Sequence, residues 1–353
     1  MLKIFPVLVI MVVGLVSAVW RGGAAIAEIF TTATLADFNS GAVSGKLDKA
    51  VFDAIPRSPR LDGLAAGLQY SLLHDAGLQV WAGCSEWLYS IEELRADRHD
   101  AENLRARARM FPLLVRALLE HNILLLVLPV PDKAEQVENQ LCGANADRSR
   151  WRSQLWSDAT ASVERLEIDV KDKWPQPGYF RTDTHWNNQG AEFAAKAVAR
   201  AIEARLGPGS DRVVLRTGPD RERLGDLARM AGLAEAPRGL APALERELEL
   251  KADVERSGSL LDEPSSPSVI LAGSSFSLNS GFLDYLQVSL SREIGQLSQA
   301  GGGFAGALLE LVQRRQAVLA STKAVIWEFP MRSLTAPLTA DERAFLDQLP
   351  DSR

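Results

Sequence analysis

Three short apolar runs set the strongest limit on what this chain can fold into. Ile123-Leu124-Leu125-Leu126-Val127-Leu128 is continuous and is stopped by Pro129-Val130-Pro131. Ser268-Val269-Ile270-Leu271-Ala272 runs into Gly273-Ser274-Ser275, and Ala324-Val325-Ile326-Trp327-Glu328-Phe329 ends at Pro330. A strand with one wet face alternates apolar and polar residues, whereas a strand covered on both faces is apolar throughout. The runs therefore predict strands buried on both sides. Helical spacing fills the intervals. Leu104, Met110, Leu113, Leu114, Ala117 and Leu118 mark a helix over 101–121 that ends at His121-Asn122. A second helix runs from Trp151 to about Leu166, before the short strand Glu167-Ile168-Asp169-Val170. An Ala-rich helix is capped by Asn187 or Asn188 and closed by Gly207-Pro208. The turn Gly301-Gly302-Gly303 introduces another, through about Val318. Helices alternating with buried strands predict an α/β fold, a three-layer α/β/α sandwich around a mainly parallel sheet. Residues 209–267 read as helical pieces closed by the linker Pro264-Ser265-Ser266-Pro267, and no internal repeat is visible.

The amino terminus has a different character. Lys3 precedes an uncharged apolar run from Ile4 to Trp20, and Arg21 closes it. A positive start before such a run predicts an export signal, either cleaved after the small residues Val16-Ser17-Ala18 or retained as a membrane anchor. Residues 1–34 are thus expected to be anchor and stalk, with a turn-rich lead-in to about residue 60. A single domain is expected over 35–345, with no room after it for a carbohydrate-binding module. The net charge of -6 over 353 residues argues against a nucleic-acid partner, which needs a clustered basic face. The alternating charges of Asp220-Arg221-Glu222-Arg223 and Glu245-Arg246-Glu247 are expected on a solvated helix face. Cys84 and Cys142, the two cysteines, could form a disulfide in an oxidising compartment or stand as two buried thiols. Their spacing does not suggest zinc.

The chemistry-bearing residues are few. In Tyr179-Phe180-Arg181-Thr182-Asp183-Thr184-His185-Trp186, residues two apart on an extended backbone share a side. Asp183 can then hold one nitrogen of His185 while the other faces a nucleophile. His74, His99 and His121 fall in amphipathic, charged or helix-capping contexts and compete poorly for that role. In open parallel sheets functional groups gather past the carboxyl ends of strands. Strand 268–272 delivers Gly273-Ser274-Ser275 there, so Ser275 or Ser274 is the candidate nucleophile. Backbone N–H groups of this turn, and of Gly302 and Gly303, are candidate oxyanion donors. Eight tryptophans, among them Trp87, Trp151, Trp156, Trp174 and Trp186, could offer stacking faces, although most are expected in the core. No P-loop, dinucleotide fingerprint or HExxH motif is present, and no cofactor is expected.

Taken together these pieces resemble the SGNH-hydrolase-like domain of periplasmic alginate O-acetyltransferases of the AlgJ/AlgX type, over about residues 35 to 335. Thr182-Asp183-Thr184-His185-Trp186, followed by Gly190-Ala191, matches that family's most specific motif. Gly273-Ser274-Ser275-Phe276-Ser277 is similar to its nucleophile block and thereby favours Ser275 over Ser274. Gly83, Trp87 and Leu88 resemble its amino-terminal block, and Pro131-Asp132-Lys133 and Val325–Pro330 fall where the family has similar segments. Two positions depart from the pattern: Glu86 stands where glycine is usual, and Ser274 where threonine is usual. The resemblance implies O-acetylation of an exopolysaccharide through Ser275, His185 and Asp183 with an acetyl-serine intermediate. It also implies a membrane-bound acyltransferase as acetyl donor, and the apolar run at residues 4–20, read as a tether to the inner membrane, is expected to keep the domain near that partner. A carbohydrate acetylesterase would use the same three residues with water as acceptor. A non-catalytic polysaccharide-binding subunit is the alternative of another class.

Overall fold

The computed structural model describes residues 5–39, 41–54, 58–255 and 267–348; the linker expected at 264–267 lies outside these except for Pro267. The chain divides into two compact units. The smaller takes residues 1–74 and 232–241, and the larger takes 75–231 and 242–353. The larger unit thus begins later than the boundary expected at residue 35.

In the smaller unit the described part of the expected tether lies in a helix, Phe5–Thr32. Among the described residues no single helix is long and apolar enough to cross a membrane; the segments Met11–Ser17 and Val19–Thr32, bent by 54°, pass that test together. Helices Leu35–Asn39, Ala42–Ala54 and Pro59–Leu73 follow. Ser58 caps the last of these by accepting from the Leu61 N–H, ahead of a proline in the first turn.

The larger unit is built on a five-stranded parallel sheet. A short antiparallel pair comes first, β1 (Val80–Ala82) and β2 (Leu88–Ser90). The sheet strands are β3 (Leu124–Val130), β4 (Leu166–Glu167), β7 (Val269–Ala272), β8 (Ile294–Gln296) and β9 (Ala324–Pro330), in the order β4-β3-β9-β7-β8. Between β4 and β7 lie β5 (Arg212–Arg223) and β6 (Glu245–Glu255), which among the described residues pair only with each other.

Successive residues of the three long apolar strands serve opposite faces, as the pleat requires. Leu126, Leu128, Leu271 and Ile326 pack with Ala191, Ala194, Ala195 and Val198 of helix Asn188–Leu206 and with Phe282 and Leu286 of helix Phe282–Leu290. Leu125, Val127, Ile270, Val325 and Trp327 pack with Leu104, Phe111 and Leu114 of helix Asp100–Glu120 and with Leu308 and Leu311 of helix Gly306–Arg314. Helices on both faces of a parallel sheet make the three-layer sandwich that the apolar runs predict. Trp87, Trp156, Trp174, Trp186 and Trp327 are buried in it, whereas Trp151 is exposed.

Several elements differ from their sequence expectation. Strand β3 continues through Pro129 instead of stopping there. The Val127 carbonyl accepts from the Ile168 N–H, so Pro129, two residues on, turns its missing donor toward the side where β4 has already ended. Strand β4 is two residues long and the helix before it is Asp147–Thr160.

The largest correction is at 209–255. The charged stretches expected on a helix face form the antiparallel ribbon β5–β6, in register Arg221↔Glu247, Glu222↔Arg246 and Arg223↔Glu245. Sign alternating every residue is a period of two, which a strand satisfies and a helix does not. Opposite charges then stand across the ribbon, as in Arg221–Glu249 and Arg223–Glu247.

Cys84 and Cys142 are joined by a disulfide, with Cα atoms 5.5 Å apart. Glu86 adopts φ 65°, a left-handed conformation that glycine takes at no steric cost. Its carboxylate is engaged by Arg181 Nη1 at 2.7 Å and the Ala243 N–H at 3.2 Å.

Candidate active site

The sheet order changes direction between β3 and β7, with β9 inserted, and the carboxyl ends of these three strands converge on one edge. Such a switch point opens a crevice in a doubly wound sheet. β7 delivers Ser275 to it, β3 delivers Asp132 and Lys133, and β9 carries Glu328 near its end.

Ser275 lies on a tight turn between β7 and the single 3-10 turn Phe276–Leu278. Glycine is required at 273, because a Cβ there would lie 2.2 Å from Ser277 Oγ. Beneath the turn the Glu328 carboxylate accepts from the Ser274 N–H at 2.7 Å, the Ser274 hydroxyl at 2.8 Å, the Ser277 N–H at 3.2 Å and the Ser277 hydroxyl at 2.7 Å. Burial pushes the Glu328 carboxyl up, and these four donors oppose the shift. Asn279 Nδ2 donates to the Ser275 carbonyl at 2.6 Å.

Asp183 and His185 sit in the segment that enters helix Asn188–Leu206, whose N-cap Asn187 accepts from the Gln189 and Gly190 N–H groups. Trp186 fixes this segment to the serine turn: its ring is fully buried, and its indole N–H donates to the Phe276 carbonyl at 3.1 Å. His185 Nδ1 lies 2.6 Å from Asp183 Oδ1, and Nε2 lies 2.8 Å from Ser275 Oγ. Asp183 also accepts from the His185 N–H at 2.9 Å, from Arg223 Nη2 at 2.6 Å and from the Asp226 N–H at 2.9 Å. Burial alone would raise the Asp183 carboxyl. The hydrogen bond and charge of His185, with the Arg223 guanidinium, outweigh it and hold the group well below the usual carboxylate range.

Lys133 supports the same segment from the end of β3. Its buried ammonium donates to the carbonyls of Leu88, Arg181 and Asp183 at 2.6, 2.8 and 2.9 Å. Burial pulls it down to about 8 against the pull of Glu245, Glu93, Asp183 and Asp226. From the ribbon, Glu245 accepts the Arg181 and Thr182 N–H groups at 2.6 and 2.8 Å.

The structure thus brings Asp183, His185 and Ser275 into one hydrogen-bonded line. It does not assemble the other expected oxyanion groups. Ser274 spends both its N–H and its hydroxyl on Glu328. Gly302 donates its N–H to the Gln299 carbonyl at 3.2 Å, and Gly303 faces Thr339 and Glu342. Among the described residues nothing accepts from the Ser275 N–H, which leaves it able to face a developing negative oxygen. Asp183, His185 and Asp226 bring ligand-type atoms within 4.8 Å of one another. Asp183 is filled by the donors above and Asp226 by Thr184, so the cluster is a hydrogen-bond network. Sequence reasoning missed Arg223 and Glu245, because their charge pattern was assigned to a helix, and it gave Asp226, Lys133 and Glu328 no role.

A hydroxyl after one strand of a parallel sheet, met by an Asp–His pair that follows another, is the arrangement of an SGNH-hydrolase-like enzyme. The model of the family described as "SGNH hydrolase-like domain, acetyltransferase AlgX" matches residues 80–331. The chain belongs to this family and is an SGNH-type O-acetyltransferase. It is 26% identical over 338 residues to the probable alginate O-acetylase AlgJ of Pseudomonas putida, covering 88% of this chain and 86% of that protein. It is 25% identical over 304 residues to the probable alginate O-acetylase AlgJ of Pseudomonas aeruginosa, covering 80% and 76%. The solved O-acetyltransferase domain of Pseudomonas putida AlgJ superposes with a TM-score of 0.67 at 23% identity, covering 78% of this chain and 99% of that one.

Proposed function

We propose that this protein transfers acetyl groups to hydroxyls of an exopolysaccharide, alginate or a related polymer such as cellulose, in the periplasm. The observation that carries the reading is the line from Ser275 Oγ through His185 to Asp183, in a chain whose relatives are named alginate O-acetylases. In the first step Ser275 Oγ attacks the carbonyl carbon of an acetyl ester and gives its proton to His185 Nε2. Asp183, held ionised, keeps Nδ1 protonated and stabilises the imidazolium. The Ser275 N–H donates to the oxyanion. Collapse breaks the bond to the leaving group, which takes the proton from His185 and leaves acetyl-Ser275. A sugar hydroxyl then gives its proton to Nε2 and attacks the acetyl carbon, and Ser275 departs with that proton. The proposed donor is a membrane-bound acyltransferase, and the apolar amino-terminal helix would hold the domain beside it at the inner membrane.

The test uses the purified protein with p-nitrophenyl acetate as donor and mannuronate or cello-oligosaccharides as acceptors. Acetylated oligosaccharide and a trapped acetyl group on the Ser275 peptide are expected. Ser275→Ala and His185→Ala are each expected to lose at least about a thousandfold in rate. Free acetate with no acetylated sugar from either acceptor would make the protein an esterase. Unchanged turnover by Ser275→Ala would remove the serine mechanism altogether.

A further inference from the structure

Asp183 has more donors than the orientation of one imidazole requires. Its Oδ1 serves His185, while its Oδ2 accepts from Arg223 Nη2 at 2.6 Å and from the Asp226 N–H at 2.9 Å. Arg223 is the last residue of β5, and its guanidinium also donates to Glu247 Oε2 at 2.8 Å and lies 4.6 Å over the Phe180 ring. Glycine at 225 lets the chain turn back at once, since a Cβ there would lie 2.0 Å from the Thr182 carbonyl oxygen. That approach brings Asp226 to the imidazole: Oδ2 is 3.6 Å from His185 Nδ1. The same carboxylate accepts the Thr184 N–H at 2.7 Å and the Thr184 hydroxyl at 2.5 Å. One guanidinium and one carboxylate, both from the stretch that closes β5, therefore flank the Asp183–His185 pair.

We propose that Arg223 and Asp226 are an opposed pair of positioning residues that fix the Asp183–His185 segment and set, with opposite sign, how readily His185 acts as a base. This rests on the catalytic reading above. The physical reason is electrostatic. A guanidinium bonded to Asp183 draws on the negative charge that would stabilise an imidazolium, and a second carboxylate beside Nδ1 restores it. Arg223 thus holds the carboxylate in place, and Asp226 sets a second negative charge beside Nδ1. The other charged groups around the pair stay the same in every variant below. They are Lys133 on the Asp183 carbonyl, Glu245 on the Thr182 N–H, Glu247 behind Arg223, Glu328 beneath Ser274, and Arg332 across the Phe276 ring at 5.2 Å.

The experiment is the pH profile of kcat/KM for p-nitrophenyl acetate with the full chain, for wild type, Arg223→Met, Arg223→Lys, Asp226→Asn and Ser275→Ala. Removing the positive charge favours the imidazolium, so Arg223→Met moves the acid limb to higher pH by about half a unit or more. Removing the negative charge does the reverse, so Asp226→Asn moves it to lower pH by a similar amount. Arg223→Lys keeps the charge and returns the limb toward wild type, with a lower plateau because the planar fork is lost. A purely structural role lowers the plateau and leaves the limb in place, and that result overturns the proposal, as do shifts of the same sign in both variants. If Arg223→Met does not fold, an unmoved limb in Asp226→Asn is sufficient to overturn it. Ser275→Ala separates the two levels: an active Ser275→Ala refutes the catalytic reading, whereas an inactive one with fixed limbs elsewhere refutes this pair alone.

Discussion

Glu93 illustrates how a single buried group makes the molecule sensitive to pH. Its side chain is fully buried; Oε2 accepts from the Ala134 N–H at 2.8 Å, while Oε1 has no hydrogen-bond partner among the described residues and lies 3.6 Å from Arg332 Nη1. Burial, aided by the charge of Asp132, pushes this carboxyl up to about 7. The folded chain therefore holds a proton that the unfolded chain releases near the ordinary glutamate value. The stability this proton confers is complete below about pH 4.5 and disappears as the pH rises through about 7. Glu93→Gln keeps an acceptor for Ala134 and removes the titration. The urea stability of wild type relative to Glu93→Gln is expected to fall by on the order of 3 kcal/mol across that window and to stay level above it. Parallel curves for the two proteins would show that Glu93 does not titrate between those limits. At the same scale Glu86 explains a departure in the sequence: glycine suits its positive φ, and here Arg181 and the Ala243 N–H hold the glutamate in it.

Among the elements, the carboxyl-terminal helix Ala340–Asp347 is held by a buried arginine. Arg107, on helix Asp100–Glu120, donates to both oxygens of Glu342 at 3.2 and 2.8 Å and to the carbonyls of Leu334, Ala336 and Pro337 at 3.1, 2.6 and 3.2 Å. Neither side chain of the pair is exposed. Glu342 also completes a capping box with Thr339 at the start of its own helix. Arg107→Met leaves a carboxylate and three carbonyls buried without their donor, and it should destabilise the protein by about 3–5 kcal/mol in urea unfolding. The double variant Arg107→Met/Glu342→Met should cost less than the two single variants summed, because no lone charge remains. Strict additivity would indicate that the pair is not coupled. The β5–β6 ribbon is the contrasting element. Its cross-strand pairs, such as Arg216 with Asp253, are largely solvent-exposed and individually contribute little. Its importance lies at its base, where Arg223 and Glu245 reach Asp183 and Thr182.

For the whole molecule, the disulfide between Cys84 and Cys142 closes a separation of 58 residues. It ties the turn after β1 to the segment after the 3-10 turn Glu138–Gln140. Closing a loop of that size restricts the unfolded chain, so Cys84→Ser/Cys142→Ser is expected to lose about 2–4 kcal/mol. Reductant should lower the wild-type urea midpoint to that of the variant and leave the variant unmoved; a variant as stable as wild type would mean that the bridge contributes nothing. The sandwich was legible in the sequence because a strand covered on both faces must be apolar at every position, as Leu124–Leu128 and Val269–Ala272 are. Asp183 and His185 could be singled out because an extended backbone puts residues two apart on one side; the strand end, where a parallel sheet exposes its turns, pointed to Ser274 and Ser275 alike, and only the family resemblance favoured Ser275. The charges at 220–223 and 245–247 were not legible as a ribbon, since one short stretch carries no record of the partner it pairs with. Ser274 looked like a free donor for the same reason: the acceptor that occupies it, Glu328, comes from another strand, whereas the Gly302 N–H is taken up within its own turn by the Gln299 carbonyl. Local pattern and burial determined the strands and helices of the sandwich and the short list of residues from which its chemistry could be drawn. Only the tertiary structure decided which of those residues meet, because hydrogen bonds such as those joining His185 to Ser275 and Arg223 to Asp183 depend on contacts between segments far apart in the chain.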